Sequence, residues 1–127
     1  MTMSERKLSD VETSVTIDES AALAALDGQR ELLQDLAVMF CEDSPQVLEE
    51  LRLSVERENC VDARRAVHTL KGLASTFYAK PTVELAQQHE DAAAAGNLTD
   101  LAGGGVDMLA RSIHALILEL KKRGLTD

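Results

Sequence analysis

The sequence predicts an all-α protein, an antiparallel four-helix bundle with a short additional N-terminal helix. Three observations predict it. Hydrophobic residues reach 45% yet are nearly all Ala, Leu, Val, Ile and Met. Such a composition, with only two prolines, favours helix. Aromatics are 2% of the chain, namely Phe40, Phe77 and Tyr78. Four amphipathic segments with helical spacing follow one another through short connections, and no strand-period alternation or internal repeat interrupts them.

Residues 1–16 are polar and unpatterned, and a flexible tail is expected there, ahead of one domain over 17–124. Asp18 and Ser20 are both able to cap a short helix ending near Asp27-Gly28. From Gln29 the pattern turns helical. Leu32, Leu33, Leu36, Met39 and Phe40 make one apolar stripe, and Val47, Leu48, Leu51 and Val55 resume it. Pro45 either opens a new helix with Ser44 as cap or kinks one helix over 29–58. The unbroken polarity pattern favours the continuous helix. Asn59-Cys60 marks a break, with Asp62 near the next start. Residues 61–78 form the next helix, and Pro81 ends it or opens its successor. The successor, 82–95, carries Val83, Leu85, Ala86, Ala92 and Ala93 and closes at Gly96-Asn97. Thr99 and Asp100 stand near the last helix, whose stripe is Val106, Leu109, Ile113, Leu116, Ile117 and Leu120. Lys121, Lys122 and Arg123 complement its C-terminal dipole. Gly103, Gly104 and Gly105 weaken its start by about 3 kcal/mol relative to alanines. Its first turn therefore frays, or the helix begins at Val106.

At 127 residues with a net charge of −9, the chain is one acidic domain. Acidity argues against nucleic acid and anionic membrane as partners. The scarcity of aromatics argues against a base-stacking platform. Neither a signal-peptide core nor an 18-residue apolar run is read, which points to a cytoplasmic protein without membrane contact. Cys41 and Cys60 form no C-x-x-C pair and read as small core hydrophobes. No H-x-x-x-H or E-x-x-H spacing suggests a metal, and no Gly-rich loop suggests a nucleotide.

Chemistry concentrates in the helix over 61–78. Ala63, Ala66, Val67, Leu70, Leu73, Ala74 and Phe77 share one face. Arg64, Arg65, His68, Lys71, Gly72 and Ser75 share the opposite one. His68 is therefore expected in solvent, whereas a histidine on an apolar face is more often a satisfied core residue. Lys71 lies one turn away, where an ammonium neutralises charge on a group carried by the ring. Gly72 sacrifices about 0.5–1 kcal/mol of helix stability relative to Ala. On an outward stripe, clearance for an approaching body explains it better than close helix packing.

The stretch A-V-H-T-L-K-G at 66–72 resembles the histidine phosphotransfer (HPt) domain of bacterial multistep phosphorelays. F-C-E-D-S-P-Q-V-L-E-E-L at 40–51 is similar to the family's preceding helix. L-A-Q-Q-H-E at 85–90 and A-A-G-N at 94–97 are similar to its following one. The resemblance spans roughly 18–122. It implies a carrier without an ATP-binding domain. His68 would take a phosphoryl group on Nε2 from a receiver's aspartyl phosphate and pass it to a response regulator's Asp. Lys71 would stabilise phosphoryl charge, and Gly72 would clear the approach. Glu90 matches the residue that holds Nδ1. Arg64, Arg65 and Ser75 would meet the partner, a response regulator's receiver or a hybrid sensor kinase, beside the helix containing Leu32 to Phe40. No cofactor is expected in the domain itself; Mg²⁺ would come with the receiver. The carrier is expected to be a monomer, either free-standing or a module of a hybrid or chemotaxis-type kinase. A non-catalytic helical scaffold is the alternative from another class. Two departures stand out. Tyr78 replaces a frequent family glycine, and His89 replaces an apolar residue before Glu90. His89 lacks the Lys and Gly context of a second phosphoacceptor, and His114 reads as structural or surface.

Overall fold

The computed structural model describes residues 17–127, and the expected tail over 1–16 lies outside them. Five α-helices follow in order: α1 Glu19–Ala25, α2 Arg30–Glu56, α3 Cys60–Ser75, α4 Lys80–Ala94 and α5 Val106–Lys122. The described residues contain no strand.

Local chemistry accounts for the boundaries. Asp18 caps α1 by accepting from the Ala21 amide at 2.9 Å. Pro45 lies inside α2, which runs through it as one helix, so Ser44 is no cap but a buried interior residue. Asn59 caps α3: its Oδ1 accepts from the Asp62 amide at 3.0 Å. In return Asn59 Nδ2 donates to the Asp62 carboxylate at 2.9 Å. Helix α3 stops at Ser75, three residues short of the expected end. The reason is Tyr78, which takes φ of 55°, the left-handed region. The Phe77 and Tyr78 amides fold back onto the Ala74 and Ser75 carbonyls. Pro81 sits in the first turn of α4, where a missing N–H is harmless. The glycines at 103–105 do disturb the last helix. Leu101–Gly105 is a wide π-type turn, with Gly104 at φ of 119°, and the regular helix begins at Val106.

Neighbouring helices run antiparallel, as paired residues show. Phe40 of α2 meets Phe77 beyond the end of α3, with ring centroids 5.7 Å apart at 80°. At the other end, Glu50 to Arg57 share a groove with Asp62 to Thr69. Between α4 and α5, the Thr82 and Ser112 hydroxyls hydrogen-bond at 2.7 Å. Farther along, His89 lies against Gly105. Between them the helices bury Leu33, Phe40, Leu51, Val67, Leu70, Leu109, Ile113, Leu116 and Leu120.

Three expectations need correction. Leu32 and Met39 are exposed, because the inward line of α2 runs Leu33, Ala37, Phe40, Ser44. Cys41 and Cys60 are half-buried rather than core residues, and both are free thiols. Leu101–Lys122 is, by length and composition alone, long and apolar enough to cross a membrane. Its apolar stripe nevertheless faces the bundle core, and Gly104 breaks its helical path.

Candidate functional site

Helix α3 buries Ala63, Ala66, Val67, Leu70 and Ala74, so the residues between them face outward. The His68 side chain is 65% exposed, which removes the alternative of a core histidine. Arg64, Arg65, Gly72 and Ser75 are exposed on the same helix, and Lys71 is half-buried. A methyl group at Gly72 would meet no atom within 4 Å. Close helix packing therefore does not explain this glycine.

The imidazole rests on α4. His68 Nδ1 lies 2.9 Å from Glu90 Oε2. The Glu90 side chain is only 11% exposed, and it also lies 2.7 Å through Oε1 from Lys71 Nζ. The Lys71 hydrogen bond and charge hold the Glu90 carboxyl below its ordinary value, against burial, which pushes it up. The bond from His68 adds to the lowering. An ionised carboxylate only accepts, so Nδ1 carries the proton and donates it. In the neutral ring the Nε2 lone pair is then free.

Sequence reasoning did not find the partners of Lys71. Its ammonium donates to Gln87 Oε1 at 2.9 Å and forms the ion pair with Glu90 Oε1. Gln87 Nε2 in turn donates to Asp91 Oδ1 at 2.8 Å. The i, i+3 and i, i+4 spacing of Gln87, Glu90 and Asp91 puts all three on one face, the only available signal.

The positive patch is smaller than the sequence suggests. Lys71 is paired with Glu90, and Arg65 pairs with Asp62 at 3.2 Å. Arg64 has no ion-pair partner among the described residues. It lines a groove of about 480 Å³ with His68, Glu90, Cys60, Val61 and Ala94. Ser75 donates its hydroxyl to the Lys71 carbonyl at 2.7 Å. His89, adjacent to Glu90, is buried, and desolvation holds its ring below the ordinary histidine value. The described residues include no cluster of three or more His, Cys, Asp or Glu able to hold a metal.

Fold and site define a helical bundle that presents one oriented imidazole to solvent. The sequence matches the Hpt domain family over residues 35–122, and the chain belongs to that family. A search of curated proteins finds no significant sequence match. Among solved structures, the fold is similar to histidine-containing phosphotransfer protein B (HptB) from Pseudomonas aeruginosa. The TM-score is 0.76 at 19% identity, covering 84% of this chain and 92% of that one. Family membership gives the chain a phosphotransfer role in a phosphorelay, as a carrier and not a kinase.

Proposed function

We propose that His68 is the phosphoacceptor and that receiver domains are its partners. The Nε2 lone pair attacks the phosphorus of an aspartyl phosphate. The P–O bond to the aspartate breaks, a P–N bond forms, and the aspartate leaves as a carboxylate. Nδ1 keeps its proton throughout. The phosphorylated ring then carries positive charge, which the Glu90 carboxylate offsets, an orienting role like that of the acid in a hydrolytic triad. Transfer to a response regulator's Asp reverses these steps. Lys71 holds the charge available to offset the phosphoryl oxygens, and Gly72 leaves room for the receiver. Arg64, Arg65 and Ser75 flank the contact. A receiver cleft rich in carboxylates complements Arg64, which has no ion-pair partner among the described residues. Mg²⁺ comes with the receiver, and the domain acts as a cytoplasmic monomer without a cofactor or catalytic turnover of its own.

The observation that carries this reading is an exposed imidazole whose Nδ1 is held 2.9 Å from a buried, ionised Glu90. The test is incubation with a phosphorylated receiver. The parent acquires acid-labile, base-stable label, and His68→Gln acquires none. Unchanged labelling of His68→Gln refutes the assignment.

A further inference from the structure

We infer that Gln87 is a positioning residue for phosphotransfer, acting on His68 through Lys71 and Glu90. The inference rests on the reading of His68 as phosphoacceptor. Its basis is an unbroken chain of contacts. Asp91 Oδ1 accepts from Gln87 Nε2 at 2.8 Å, and Gln87 Oε1 accepts from Lys71 Nζ at 2.9 Å. Lys71 Nζ lies 2.7 Å from Glu90 Oε1, and Glu90 Oε2 accepts from His68 Nδ1 at 2.9 Å.

Donor and acceptor chemistry gives this chain one direction. A lysine ammonium only donates, and an ionised aspartate only accepts. An amide between them fits in one orientation, oxygen toward Lys71 and nitrogen toward Asp91. Gln87 is thereby locked at both ends. It gives the ammonium a second fixed acceptor beside Glu90. A lysine stem with four rotatable carbons and one partner samples many positions. With two acceptors on consecutive turns of α4, Lys71 stays half-buried, its side chain 22% exposed. Removing the Gln87 oxygen frees the ammonium to swing into water. Glu90 Oε1 then loses its fixed partner, and the carboxylate is free to rotate away from the Nδ1 proton.

Two variants and one pair test this. Gln87→Leu removes both amide contacts at similar volume. Asp91→Asn, at an exposed position, leaves Gln87 in place but lets its amide flip. The first readout needs no partner: long-range ¹H–¹⁵N spectra of the His68 ring report which nitrogen carries the proton. The second is the rate of His68 labelling by phosphoramidate, which loses ammonia as the P–N bond to the ring forms. Gln87→Leu is expected to lower the Nδ1–H fraction and slow labelling about tenfold, as for one hydrogen bond to a charged group. Asp91→Asn shifts both readouts the same way by less. Because Gln87 acts through Lys71, the Lys71→Ala, Gln87→Leu pair is no slower than Lys71→Ala alone. Parent-like tautomer and rate in Gln87→Leu, or fully additive losses in the pair, overturn the proposal. Labelling that persists in His68→Gln instead overturns the phosphoacceptor reading, while the ring spectra still decide the role of Gln87.

Discussion

Glu90 holds His68 from beneath: a carboxylate side chain 11% exposed accepts the hydrogen bond from an imidazole 65% exposed. The buried partner fixes the ring, and the exposed partner meets solvent. Glu90→Gln keeps an acceptor for Nδ1 but removes the charge that offsets a phosphorylated ring. Glu90→Ala removes both. Phosphoryl acceptance from a receiver is expected to fall about tenfold in the first variant and further in the second. Single-turnover rates check the order, and equal rates for Glu90→Ala and the parent would show that Glu90 is an ordinary helix glutamate.

The same carboxylate predicts a pH response. Its folded value is lowered, with the Lys71 hydrogen bond as the largest cause. The associated stability is therefore fully present above the unfolded value, about 4.3. It is lost as pH falls through the folded one. Between pH 5 and 8 Glu90 therefore stays ionised. Carboxyl ¹³C shifts track the group directly. Lys71→Ala is expected to move the Glu90 midpoint upward; an unmoved midpoint removes Lys71 as its counter-ion.

His89 predicts a loss in the same direction, on acidification, but at milder pH. Burial lowers its folded value, although Asp100 pulls the other way. The unfolded chain therefore binds more protons below about pH 6.5, and stability falls there as the solution is acidified. Thermal unfolding at pH 7 and 5.5 measures this. His89→Leu is expected to flatten the difference, and an equally steep loss in that variant would place the acid sensitivity elsewhere.

Two glycines give opposite outcomes on alanine substitution. At Gly105 an added Cβ comes within 2.6 Å of His89 Cε1 and 2.8 Å of the Asp100 carbonyl oxygen. Gly105→Ala is expected to destabilise the fold by about 1–3 kcal/mol. At Gly72 the space is open, and Gly72→Ala is expected to stabilise α3 by about 0.5–1 kcal/mol. The same Gly72→Ala slows transfer if the glycine clears the receiver's approach. Denaturant melts and transfer rates separate fold from docking, and a stabilised variant with unaltered transfer dismisses the clearance role.

Arg64 and Arg65 also part company. Arg65 is already paired with Asp62, whereas Arg64 faces the groove beside His68. At low salt Arg64→Glu is expected to slow receiver transfer roughly tenfold, and Arg65→Glu less, with salt narrowing the gap. Equal rates for Arg64→Glu and the parent at low salt sink the assignment.

Much of this was legible in the sequence, and the illegible parts share a cause. The 3.6-residue period put Ala63, Ala66, Val67, Leu70 and Ala74 inward and His68 outward, as the structure has them. Asn59, Pro81 and the glycines at 103–105 marked real boundaries. The period did not tell Leu33 from Leu32, because adjacent leucines fit either edge of a stripe until a neighbour helix chooses. It did not end α3 before Tyr78, because nothing local announces a tyrosine in the left-handed region. Glu90 came from family resemblance. Gln87 and the Lys71–Glu90 pair did not come at all, since side chains meeting between two helices leave no spacing signal that spans the turn.

Every contact in the chain from Asp91 to His68 comes from α3 and α4, which Thr76–Ala79 join. The imidazole and its supports thus lie within one helical hairpin. Helices α2 and α5 act as its keel: they bury the underside and leave the chemistry alone. The bundle is therefore modular. The hairpin is the unit to transplant when the site is wanted on another scaffold.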